Sequence, residues 1–202
     1  MKDEPKTPAK TGAGANSPHR GAANRRSAFF LIRFVVLLVV FYAIVASHPV
    51  NDAVIVPFTS AIARVSAVIL NVLGEQVTVN GTEIRSSRFA VAIENGCNGV
   101  ETALLFGAAV LAFPAPWRRR LLGLLFGFVA IQIINLVRVV SLFLVGVHRP
   151  ALFGTSHTIL WQSIVVLCGV LLFLLWAARE ARARQRQGVA VEETNRGAPK
   201  PR

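Results

Sequence analysis

This chain has few cysteines and few acidic residues: two cysteines occur in 202 residues, and ten Asp and Glu stand against 22 Lys and Arg. Two cysteines cannot form a disulfide framework, and neither Cys97 nor Cys168 lies in a CxxC pair, so both read as thiols. HExxH and Walker-type glycine loops are missing too, which leaves no support for a metal site or a nucleotide cofactor. What is abundant is apolar sequence. At 53% hydrophobic residues, with long aliphatic runs, the chain is too apolar for one soluble domain and reads as a polytopic membrane protein. A net charge of +12 would suggest nucleic acid in a soluble protein. Here the bases gather in three blocks beside apolar runs, so the implied partner is the lipid bilayer and not nucleic acid.

Residues 1–27 are rich in Lys, Pro, Ala, Gly and Asn without apolar periodicity, the composition of a disordered basic tail. The membrane-embedded core is expected over 28–178, and a second basic tail over 179–202. Ala28 to Ala46 is long enough to cross a hydrocarbon core of ~30 Å, and too long for the apolar region of a cleaved signal peptide. Val100 to Ala115, Leu121 to Val147 and Thr158 to Ala178 are three further spans. Val54 to Leu73 is also apolar but carries Pro57, Arg64, Thr59, Ser60 and Ser66.

The basic blocks arbitrate. Lys2, Lys6, Lys10, Arg20, Arg25 and Arg26 precede the first span, Arg118 to Arg120 follow the second, and Arg179, Arg182, Arg184 and Arg186 follow the last. All should be cytoplasmic. A crossing by Val54 to Leu73 would put the later two blocks outside, so that segment is expected to be re-entrant or interfacial. The expected fold is therefore all-α, with about four transmembrane helices, that extra helix, and a small extracytoplasmic β-hairpin. The hairpin is read from the alternating run "EQVTVNGTEIRSSRFAVAIENG" around Asn80-Gly81. The tight turn also accounts for "NGT" without glycosylation.

Three polar groups then converge on one depth. Cys97, in "ENGCNGVE", precedes the second span at its outer end, where a helix N-terminus favours a thiolate. Gly96 and Gly99 allow a tight turn there, and Asn95 and Asn98 can supply capping oxygens. Arg138 lies 18 residues beyond Arg120, about 27 Å along a helix, which carries it back to the outer side. Asn135 stands one turn away on the same face. His157 opens the last span after a short outer loop, and is preferred over His148, which sits in that loop beside Arg149. A thiol, an imidazole and a guanidinium suit acyl transfer: attack on an amide, proton relay, and stabilisation of negative charge. Glu101, one turn past Cys97, either orients the site with Arg138 or only answers the charge preference of a helix N-terminus. Cys168 reads as apolar filler.

"NGCNGVE" before an apolar helix, then "NLVRVVSLF", then "SHTILWQ" resembles the exosortase and archaeosortase family of membrane transpeptidases, most closely the exosortase H branch. The resemblance covers roughly Ala28 to Ala178 and implies Cys97 as nucleophile with Arg138 and His157 as its partners. It further implies cleavage of C-terminal sorting signals of the IPTL or PEP-CTERM kind, each made of a motif, a helix and a basic end, with transfer of the acyl group to a cell-envelope acceptor. The implied setting is a bacterial inner membrane, with the site facing the periplasm. Larger members carry additional helices, which leaves open whether this shorter chain works as an oligomer. A non-catalytic assembly or transporter subunit, needing no reactive thiol, is the competing class; a protease that hands the acyl group to water is a nearer one.

Overall fold

A computed structural model of the chain describes residues 18–155 and 160–197. In chain order the elements are α1 (Pro18–Val45), a short turn α2 (His48–Val50), a π-helical turn (Asn51–Ile55), α3 (Val56–Val72), strands β1 (Thr78–Asn80), β2 (Glu83–Arg85) and β3 (Ala90–Ala92), then α4 (Val100–Ala112), α5 (Trp117–His148), α6 (Pro150–Thr155) and α7 (Gln162–Gly197). α1 thus begins well ahead of the expected start at Ala28, and α7 continues through much of the expected basic tail. The π turn falls just before Pro57, which has no N–H to return to the preceding turn and so loosens it.

Among the described residues, four helical runs are long and apolar enough to cross a membrane: Ser27–Val45, His48–Val72, Trp117–His148 and Gln162–Ala190. The number matches expectation but the membership does not. Val100 to Ala115, expected as a span, is helical over the 13 residues Val100–Ala112, about 20 Å against a ~30 Å core. The segment expected to be re-entrant or interfacial is part of one 25-residue run, His48–Val72. Length says little about heading, however, and the side-chain contacts define that.

Phe30, midway along α1, meets Phe113 after α4 and Phe173 of α7, at centroid distances of 6.5 and 6.2 Å. Phe113 meets Trp176 at 5.5 Å, the Arg184 guanidinium lies 5.6 Å over its ring, and Arg119 bonds Glu180 at 3.1 Å. The middle of α1, the α4–α5 connection and the middle of α7 therefore share one end of the bundle, and the described basic blocks lie there together. At the other end, Tyr42 and Val45 of α1, with Ala46 just after it, line a cavity with Gly96, Asn98 and Glu101. So α1 and α5 lead away from the basic end, and α4 and α7 return.

α3 follows the far half of α5 on the same heading. Phe58 lies 6.1 Å from Phe128, and Ala63, Ala67 and Leu70 share a buried cluster with Val139 and Phe143. It therefore extends onward from the end of α1 rather than retracing it. α4, although short, is central: Phe106, Gly107, Ala108, Ala109, Val110 and Ala112 are all buried, and its small residues permit close helix approach.

The three strands form an antiparallel sheet in the order β1-β2-β3. Asn80 pairs with Glu83, so the two-residue connection is Gly81-Thr82. Gly81, at φ +60°, takes the first turn position, where a primed hairpin turn calls for glycine. The expected hairpin is present, but β3 extends it, pairing Glu83 with Ala92 and Arg85 with Ala90. Ile84 and Ile93 face a core with Leu70 and Phe143, which seats the sheet against α3 and α5.

Candidate active site

The loop from β3 to α4 is tied down residue by residue. The Cys97 N–H donates to the Glu94 carbonyl at 3.0 Å, closing a turn in which Gly96 has φ +88°. Asn95 Nδ2 donates to Asn51 Oδ1 at 2.9 Å, which fixes the loop to the π turn. Asn98 is buried, 1% exposed; its Nδ2 donates to Thr59 Oγ1 at 2.9 Å and its Oδ1 accepts from the Val100 N–H at 3.1 Å. The capping expected of Asn98 is thus made at the first residue of α4, whereas Asn95 serves as a tether. Gly99, at φ +77°, allows close approach: a Cβ there would stand 3.1 Å from Asn135 and from Gln132 Nε2.

Arg138 reaches this loop from α5. Its Nη2 donates to Cys97 Sγ at 3.4 Å across 41 residues of sequence, and the residue is 2% exposed. A guanidinium so placed is not snorkelling to an interface. Asn135, one turn earlier, is fully buried. Its amide atoms and Arg138 Nε have no hydrogen-bond partner among the described residues, which leaves donors beside the thiol for a group that enters. Neither cysteine is in a disulfide.

Burial pushes the Cys97 thiol above its usual range; Arg138 pulls the other way, and Glu94 and Glu101 add to the upward push. Desolvation is the largest of these influences and acts against the thiolate expected at a helix N-terminus, because a half-buried sulfur loses hydration that would stabilise its charge.

His157 lies outside the described residues. His148 ends α5, ten residues past Arg138, about 15 Å along the helix. Its Nδ1 lies 3.0 Å from the Leu144 carbonyl oxygen and its Nε2 is 3.9 Å from Glu75 Oε1. It belongs to a cluster in which Arg88 also bonds Glu75 at 2.9 Å, well removed from the thiol. Glu101 forms no ion pair with Arg138 among the described residues; it faces Gly96, whose Cβ would stand 3.5 Å from Glu101 Oε1.

Sequence reasoning noted Thr59 only as a polar interruption of Val54 to Leu73, and passed over Gln132. Both are polar residues on apolar helices, a signal that was available in the sequence, but their relevance depends on α3 running beside α5. A crevice of about 20 Å³ lined by Val91, Ala92, Ile93, Cys97, Arg138, Val139 and Leu142 opens beside the sulfur, with room for about one water.

A family model described as transmembrane exosortase matches residues 22–177. No curated protein and no solved structure matches the chain.

Proposed function

The chain belongs to the transmembrane exosortase family, a family of membrane cysteine transpeptidases that process C-terminal sorting signals, and from that premise we propose that Cys97 is its nucleophile. The carrying observation is the 3.4 Å contact between the buried Arg138 guanidinium and the Cys97 sulfur. Two residues from distant elements are brought to one point, and the arginine is costly to place alone in an apolar setting.

In the proposed reaction His157 accepts the thiol proton, and the sulfur attacks the scissile carbonyl, forming a C–S bond as the carbonyl π electrons move to oxygen. Arg138, with the Asn135 amide beside it, stabilises that oxyanion. Collapse breaks the C–N bond, and the departing amine takes the proton from His157. An amine of a cell-envelope acceptor then attacks the thioester, gives up its proton to His157, and displaces the thiolate. Asn98 holds the loop through Thr59, and Glu101 borders the site. The substrate is a protein ending in a motif, a helix and a basic segment, of the IPTL or PEP-CTERM kind, in a bacterial inner membrane. The gathering of basic blocks at the opposite end supports a site that faces the periplasm.

Cys97→Ala should abolish processing of such a substrate at unchanged membrane level, while Cys168→Ala should leave it within about twofold, since truncating one partly buried thiol mainly affects packing. Equal loss in both variants would mean that the thiols are structural, and would restore the reading of a non-catalytic assembly subunit.

A further inference from the structure

The two edges of the small sheet are finished differently. Beyond β1, Val77 is occupied: its N–H donates to Asn71 Oδ1 at 2.9 Å, and its carbonyl accepts from Asn71 Nδ2 at 3.3 Å. A side chain from α3 thus covers the backbone where that edge begins. β3 has no such cover. The Ile93 N–H donates to the Thr82 carbonyl and the Phe89 carbonyl accepts from the Ser86 N–H, while Val91 pairs with Ile84. By the alternation of an antiparallel ladder, Phe89, Val91 and Ile93 bond to β2, and Ala90 and Ala92 turn their N–H and C=O groups outward. Those outward groups have no partner among the described residues, and both alanines are exposed.

An open edge is ordinarily protected by Lys, Pro, a bulge or a covering element, because it is a template for another strand. Here it carries two methyl side chains, the least obstructive choice short of glycine. It also leads straight to the chemistry: Ala92 lines the crevice with Cys97 and Arg138, and Cys97 follows five residues later. That crevice holds about one water, so a peptide cannot enter it and has to lie across its mouth.

Resting on the reading of Cys97 as nucleophile, we infer that β3 receives the substrate as a fourth strand: the extended segment flanking the scissile bond pairs its backbone with Ala90 and Ala92 and thereby brings the carbonyl over Cys97 Sγ. Backbone pairing supplies affinity without reading side chains. An extended occupant fits better than a helix, since a helix has already used its backbone donors and acceptors and offers none to a strand edge.

The test uses the full chain in membranes with a sorting-signal substrate. Ala92→Pro removes one outward N–H without touching a bond to β2, a placement that edge strands tolerate. Processing should fall about 10-fold or more through KM, whereas Ala92→Val, which keeps the N–H, should stay within about threefold. Cys97 alkylation by a small reagent should be unchanged in Ala92→Pro, showing that the thiol and its surroundings are intact. Independently, unaltered enzyme should lose kcat/KM on peptide substrates in which an ester replaces a single amide beside the scissile bond, at alternate positions only. Normal processing by Ala92→Pro, or indifference to every ester, would overturn the inference while leaving Cys97 in place. Processing that survived Cys97→Ala would instead overturn the reading beneath it.

Discussion

At the scale of the residue, Arg138 and Cys97 each lead to a distinct expectation. Lysine in place of Arg138 keeps the charge but not the planar fork of donors that can hold a sulfur and a developing oxyanion together. Arg138→Lys should leave the protein in the membrane yet cut processing about 100-fold, the scale of losing one oxyanion donor. The ratio of cleaved to intact substrate at matched enzyme levels measures this, and near-normal turnover would remove Arg138 from the mechanism. Cys97 has its thiol pushed up by burial, so its thiolate fraction is low at neutral pH and grows as pH rises. Its alkylation rate should therefore climb with a midpoint above the ordinary thiol value of about 8.5. Arg138→Gln removes the downward influence seen among the described residues and should move the midpoint higher still. A midpoint below 8.5 in the unaltered protein would mean that the helix N-terminus dominates after all.

At the scale of the element, α5 separates the two histidines. Its length carries His148 past the thiol and into the Glu75–Arg88 cluster, so His148→Ala should keep processing within about threefold and instead loosen the sheet from α5. His157→Ala should cost about 100-fold or more, in the range of general acid–base loss. The reverse ranking, read from accumulation of uncleaved substrate, would move the proton relay to the α5 end. The meeting of Cys97 and Arg138 was legible because helix rise is nearly constant: 18 residues from Arg120 fix a depth whatever the packing. Asn98 as a cap was legible from local chemistry alone. β3 was harder to see, because Ala-Val-Ala is short and weak in strand preference and is held by pairing with β2, a tertiary gain. The heading of α3 was not legible either. Its apolarity and length equal those of a span, and only contacts such as Phe58 with Phe128 show it running beside α5. The raised thiol was missed because a helix N-terminus is visible in sequence and burial is not.

At the scale of the whole molecule, the bundle is polarised, with the described basic blocks at one end and the Cys97–Arg138 contact at the other. Reporter fusions at Gly81 and Arg119 should accordingly report opposite sides of the membrane; a shared side would undo the shared depth from which the site was argued. The same polarity sets a length. Arg119, paired with Glu180 at the basic end, and Arg138 are 19 residues apart on one continuous helix, about 28 Å. On the proposed reading of Cys97 as nucleophile, a sorting signal with a basic tail held at one membrane face would present its scissile bond to the sulfur only when its own apolar helix covers a comparable rise. Four residues fewer would leave that bond about 6 Å short. On that reading the enzyme would work as a gauge, with the helix length of its substrate acting as a selection rule before any motif is read.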